Sequence, residues 1–144
     1  VDEAALGRAE ERFRQHVRSY LAVAQAHRIP VFVLPLTHVM GVNSSQAPTP
    51  EETQVWQRTV PFASAATVLE GYRRFNGVLT SASAEFGAAM LDPDSLAVVG
   101  LDAYFDGDPI HFNDIGAERF GTTLARLLLR DSTFTRIVRP SSEP

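Results

Sequence analysis

At 144 residues the chain has the length of one domain, and its 44% hydrophobic and 21% charged residues are ordinary for a globular protein that buries a core. The net charge of −4 comes from 17 acidic and 13 basic residues, all of the latter Arg, and no basic stripe with interleaved aromatics marks a nucleic-acid partner. Without Cys there is no disulfide framework, thiol nucleophile or Cys-based zinc site, and the longest apolar run, Ile29 to Leu36, falls short of the roughly 20 residues of a membrane span.

The chain opens Val1-Asp2-Glu3, with no basic region followed by an apolar stretch, so no signal peptide is read. A first residue other than Met points to a processed or trimmed product. The compartment is not legible.

The spacing predicts a helix from about Glu3 to His27. Leu6, Ala9, Phe13, Val17, Tyr20, Leu21 and Ala24 share one face. Arg8, Glu11, Arg12, Arg18 and Gln25 take the other, and His27 and Arg28 complement the C-terminal dipole. Val31-Phe32-Val33-Leu34, bounded by Pro30 and Pro35, reads as a central parallel strand covered by helices on both faces. Leu36 to Pro50 reads as a loop, broken by Gly41, Asn43, Ser44, Ser45, Pro48 and Pro50. Thr49 or Thr53 can cap a short helix through Trp56, with Pro50, Glu51 and Glu52 in its first turn.

After Pro61 a longer helix follows from Val68, Tyr72, Phe75, Leu79, Ala82 and Phe86, whose periodicity runs through Asn76-Gly77. Ala88 to Leu91 reads as a short strand ending at Asp92-Pro93, and Leu96 to Leu101 as a further extended piece. The last helix carries Ala117, Phe120, Gly121, Leu124, Leu127 and Leu128 on one stripe. Asp114 and Glu118 lie near its N-terminus, and Arg126 and Arg130 near its C-terminus. Residues 132–144 read as a tail.

Alternating helices and strands imply an α/β fold with parallel strands. Parallel sheets most often have about 4–6 strands. The strand at Val31 to Leu34 therefore wants pairing partners beyond those the chain offers.

The most informative segment is Asp108-Pro109-Ile110-His111-Phe112-Asn113-Asp114-Ile115-Gly116. A β-turn brings its first and fourth residues within about 7 Å, and Asp followed by Pro suits the first two turn positions. Asp108 can then accept from His111 Nδ1–H, fixing the tautomer and leaving Nε2 as a general base. The same turn before a helix is also ordinary loop chemistry.

This block, followed by Ala117-Glu-Arg-Phe-Gly-Thr-Thr-Leu-Ala-Arg-Leu-Leu128, resembles the last block of the SGNH (GDSL-type) hydrolases. His27 to Thr37 looks like that family's fourth-strand region. Tyr72 to Asn76 and the strand ending at Asp92 look like its penultimate helix and final strand. The resemblance spans most of the chain but only the C-terminal part of the family's domain. It implies a three-layer α/β sandwich with a parallel sheet, residues 1–131 forming its C-terminal portion and 132–144 a tail.

It also implies that His111 is the general base and Asp108 its orienting acid. Their partner would be a serine in a Gly-Asp-Ser block near the domain's N-terminus. A glycine N–H and an Asn side chain would help complete the oxyanion hole. None of these three blocks occurs here, so no nucleophile or oxyanion donor is assigned. Ser19 falls in the first helix, Ser44 and Ser45 in a loop, and Ser81 and Ser83 on a helix. The absent blocks would also bring the missing strands. The expected partner is thus an N-terminal segment or chain that docks against Val31 to Leu34 and brings the serine.

The activity expected from the resemblance is ester hydrolysis through an acyl-serine. The alternatives are O-acyl transfer to a saccharide, or a non-catalytic domain that binds glycans or builds an assembly. No cofactor is expected. Asp102, Asp106, Asp108 and Asp114 lack the closing Glu of an EF-hand loop, so no metal site is assigned. His38, at the end of the strand, reads as a loop histidine with a substrate cleft as the alternative. His16 and His27 read as surface residues, and Arg73-Arg74 as a solvated helix face. Trp56 and Phe62 are either core anchors or an apolar wall for an acyl group.

Overall fold

A computed structural model of the chain describes residues 2–38, 48–96, 98, 100–132 and 134. Helix α1 spans Glu3–Ala26, and the Asp2 side chain accepts from the Ala4 N–H at its N-terminus. It ends where Arg28 takes a left-handed conformation (φ 56°) and the Ile29 N–H bonds to the Ala24 carbonyl. Helix α2, Pro50–Thr59, opens with a complete capping box between Thr49 and Glu52. It continues a turn past Trp56. Helix α3, Ala65–Phe86, is capped by Ser64 and runs unbroken through Asn76-Gly77, as its periodicity predicts.

Strand β1 is Phe32–Val33 and strand β2 is Ala89–Met90. They are parallel, with Phe32 opposite Ala89 and Val33 opposite Met90. Helix α4 is the single turn Pro93–Leu96, and a 3-10 turn covers Leu101–Ala103. The extended piece expected over Leu96 to Leu101 is therefore absent at its two ends. Residues 97 and 99 lie outside the described residues. Helix α5 spans Asp114–Arg130.

The three-layer α/β sandwich expected from the sequence is not what forms. The described residues are mostly helical, and their sheet has only two strands of two residues each. The cause is local. Of the run Val31 to Leu34, only Phe32 and Val33 pair, both half-buried, and Leu34 is exposed. Past Pro35 the chain bonds to a side chain instead of a strand. The buried Asn76 amide accepts from the Leu36 N–H at 2.8 Å and donates to the Leu36 carbonyl at 3.1 Å.

Two packed regions hold the structure. In one, α1 lies along α3, with Leu21, Ala24, Val78, Leu79 and Ala82 buried and the Phe13 and Phe75 rings 5.0 Å apart. Tyr20, expected on the buried face, is exposed. Arg74 is no freely solvated cation, for its guanidinium joins Glu3 and Glu10 on α1 to Glu70 on α3. In the other region Trp56, Ala65, Leu69, Val98, Ala103 and Tyr104 are buried, with Phe112 and Phe120 against them. This second region carries the Asp108–His111 segment. On α5 only Gly116 is buried; Phe120, Leu124, Leu127 and Leu128 are half-buried, while Ala117 and Gly121 of the expected stripe are exposed. Loop residues 39–47, with Gly41, Asn43, Ser44 and Ser45, lie outside the described residues, as does nearly all of the expected tail.

Candidate active site

The segment from Tyr104 to Phe112 forms a narrow loop closed at its base. Tyr104 and Phe112 pair as an antiparallel bridge, and the Phe105 N–H donates to the His111 carbonyl at 3.2 Å. Inside it the Asp108 N–H bonds to the Phe105 carbonyl at 3.0 Å, with Gly107 between them at φ 75°, where glycine is unstrained. The Gly107 carbonyl also accepts from the Thr59 hydroxyl at 3.2 Å, tying the loop to the end of α2.

Asp108 then organises the next three residues. Its Oδ1 accepts from the backbone N–H of Ile110 at 2.9 Å and of His111 at 3.0 Å. Its Oδ2 lies 2.7 Å from His111 Nδ1. The reversal expected as a backbone β-turn is thus closed by the aspartate side chain, an Asx-turn. Pro109 is fully buried, which anchors the turn. The His111 side chain is 75% exposed, and among the described residues no group hydrogen-bonds its Nε2.

One asparagine fixes the loop against α5. The Asn113 amide donates to the carbonyls of Asp102 and Tyr104, both at 2.8 Å, and its Oδ1 caps α5 by accepting from the Gly116 N–H at 3.0 Å. Its own N–H bonds to the Ala103 carbonyl at 3.1 Å. Gly116 permits this closeness, because a Cβ there would sit 2.0 Å from the Ala103 carbonyl oxygen. Arg119 on α5 pairs with Asp102 at 2.7 Å across the same junction.

The hydrogen bonds set the charge state of the acid. The His111 backbone N–H, ahead of the imidazole and the Ile110 N–H, holds the Asp108 carboxyl below the usual carboxylate range, against an opposing effect of partial burial. Asp108 is therefore ionised at neutral pH and accepts from Nδ1–H, which leaves the Nε2 lone pair outward.

The other candidate residues separate. His38 lies outside helix and strand, as a loop histidine should, but it is fully buried, its ring 4.4 Å from that of Tyr72 and 6.0 Å from that of Trp56, so it does not wall an open cleft. Burial lowers its pKa to about 4. Trp56 is a core residue, 1% exposed, whereas Phe62 is 78% exposed. His16 and His27 are at the surface. Ser19 donates to the Gln15 carbonyl and Ser81 to the Gly77 carbonyl, Ser83 is buried on α3, and no described serine hydrogen-bonds His111. Among the described residues no group of three or more His, Asp or Glu is placed to hold a metal ion, and no helix is long and apolar enough to cross a membrane.

Sequence reasoning missed the electrostatic link between Tyr72 and the site. Burial first, and then the negative Asp108, raise its phenol pKa. In the sequence Tyr72 is one more apolar position on the stripe of α3, and no local signal couples it to Asp108. No family model, curated protein or solved structure matches the chain.

Proposed function

We propose that the chain supplies the general base and its orienting acid to an SGNH-type ester hydrolase that works through an acyl-serine intermediate. The serine comes from a segment or chain that completes the domain. His111 Nε2 takes the serine proton as the hydroxyl oxygen adds to the ester carbonyl, then returns it to the leaving alcohol. Water, deprotonated by the same nitrogen, adds to the acyl carbonyl, and the proton passes to the serine oxygen as its bond to the acyl carbon breaks and the acid leaves. Asp108 Oδ2 holds Nδ1–H throughout and stabilises the imidazolium formed in each step.

The observation that carries this reading is the 2.7 Å bond from His111 Nδ1 to Asp108 combined with an imidazole 75% exposed. A base that is oriented on one side and open on the other is suited to a hydroxyl arriving from outside. The short, half-exposed β1 supports the same reading, because an edge strand offers unpaired backbone groups to an incoming segment.

The test is His111→Ala in the assembly that carries the serine. Turnover of an activated ester should fall roughly 10²–10⁴-fold, the ordinary contribution of a general base, with the melting temperature unchanged for so exposed a side chain. Full activity in the variant would contradict the assignment.

A further inference from the structure

An apolar recess of about 390 Å³ lies between α1, α3 and the connection from α2 to α3. Leu6, Val60, Phe62, Val68, Tyr72 and Phe75 form most of its wall, and among the described residues no charged side chain lines it. Its volume is within the ~300–1,000 Å³ usual for small-ligand sites.

Building on the ester-hydrolase reading above, we propose that this recess holds the acyl chain of the ester, a linear saturated chain with its carbonyl end directed toward Asp108 and His111. The lining decides the chemistry. Among the described residues Thr67 and Tyr72 bring the only polar side chains of the wall, and the Thr67 hydroxyl already pairs with Ser64 at 2.9 Å. A sugar, phosphate or peptide would leave its hydrogen bonds to water unreplaced there, while a hydrocarbon has none to lose. A methylene group fills about the ~30 Å³ of a liquid water. The recess thus suits a chain of on the order of ten carbons.

The orientation follows from the link between the α2–α3 connection and the dyad loop. The Tyr72 ring lines the recess and its phenol feels the charge of Asp108. Thr59 bonds to the Gly107 carbonyl, one residue before Asp108, and the next residue, Val60, lines the recess. Phe62, 78% exposed, stands at the rim, where an acyl chain would cover it.

Isothermal titration of the full chain with acetate, hexanoate and decanoate tests this. Saturable 1:1 binding of decanoate is expected, tightening roughly fourfold for each methylene beyond hexanoate, with none for acetate. Gly71 lines the recess, and a Cβ there would meet only Leu6 Cδ1, at 3.8 Å. Gly71→Leu fills the space, suits a helix better than glycine, and should lose decanoate binding. Phe62→Asp, at the exposed rim, should weaken it without affecting folding. Decanoate binding is read by heat without any turnover, so loss of the recess and loss of the base are read apart. Equal binding of acetate and decanoate, or undiminished decanoate binding by Gly71→Leu and Phe62→Asp, would overturn the proposal. A dimer that Gly71→Leu disperses and decanoate leaves intact would overturn it too, assigning the recess to a second copy.

Discussion

The two oxygens of Asp108 divide the work of the loop between them. Oδ1 folds the backbone through the Ile110 and His111 N–H groups, and Oδ2 orients the imidazole. The carboxyl is held below its ordinary range, so its stabilisation is complete above the unfolded carboxylate pKa and is lost as pH falls through the folded value. Gly116 matters at the same scale, for its backbone lies against the Ala103 carbonyl that also accepts from Asn113. In Gly116→Ala the new methyl would meet that oxygen and the Phe112 ring, at 2.0 and 2.9 Å, and α5 must shift. A loss of about 1–3 kcal/mol is expected from urea unfolding. A variant as stable as the parent would show that α5 does not clamp the loop.

The helices were the readable elements. Their caps and periodic apolar positions are local, and α1, α3 and α5 fall where those signals put them. The Asp-Pro-Ile-His turn was legible for the same reason, since its hydrogen bonds lie within four residues. The sheet was not. Four apolar residues in a row look alike whether two faces are covered or neither is, and only pairing distinguishes the cases. Asn76 decided it from 40 positions away in sequence, by taking up both backbone groups of Leu36. A helix position inside an apolar stripe gives no hint of that bond. Asn76→Ala would remove both hydrogen bonds to the part-buried backbone of Leu36. The denaturation midpoint should drop by the equivalent of about 1–3 kcal/mol. An unchanged midpoint would mean that the segment after β1 is held by other contacts.

Across the whole molecule, acid stability should follow the buried His38. Its folded pKa of about 4 lies below the ordinary 6.5, so folding favours the neutral ring. That stabilisation is complete above about pH 6.5 and erodes as pH falls toward 4, at up to about 1.4 kcal/mol per pH unit. Urea midpoints measured between pH 7 and 5 should decline, and His38→Phe, which keeps an aromatic ring against Tyr72 and Trp56, should flatten the decline. An equal slope in the variant would place the acid sensitivity elsewhere. The site as a whole was only half legible: the dyad is written in one segment, whereas the recess draws on α1, α3 and two connections that meet only in the fold. Whether the dyad serves a serine is tested most directly by fluorophosphonate labelling of the complete assembly, read by mass spectrometry. The account predicts one labelled serine, on the segment or chain that completes the domain, with labelling abolished in His111→Ala. No labelled serine in the parent assembly, or equal labelling in the variant, would contradict it.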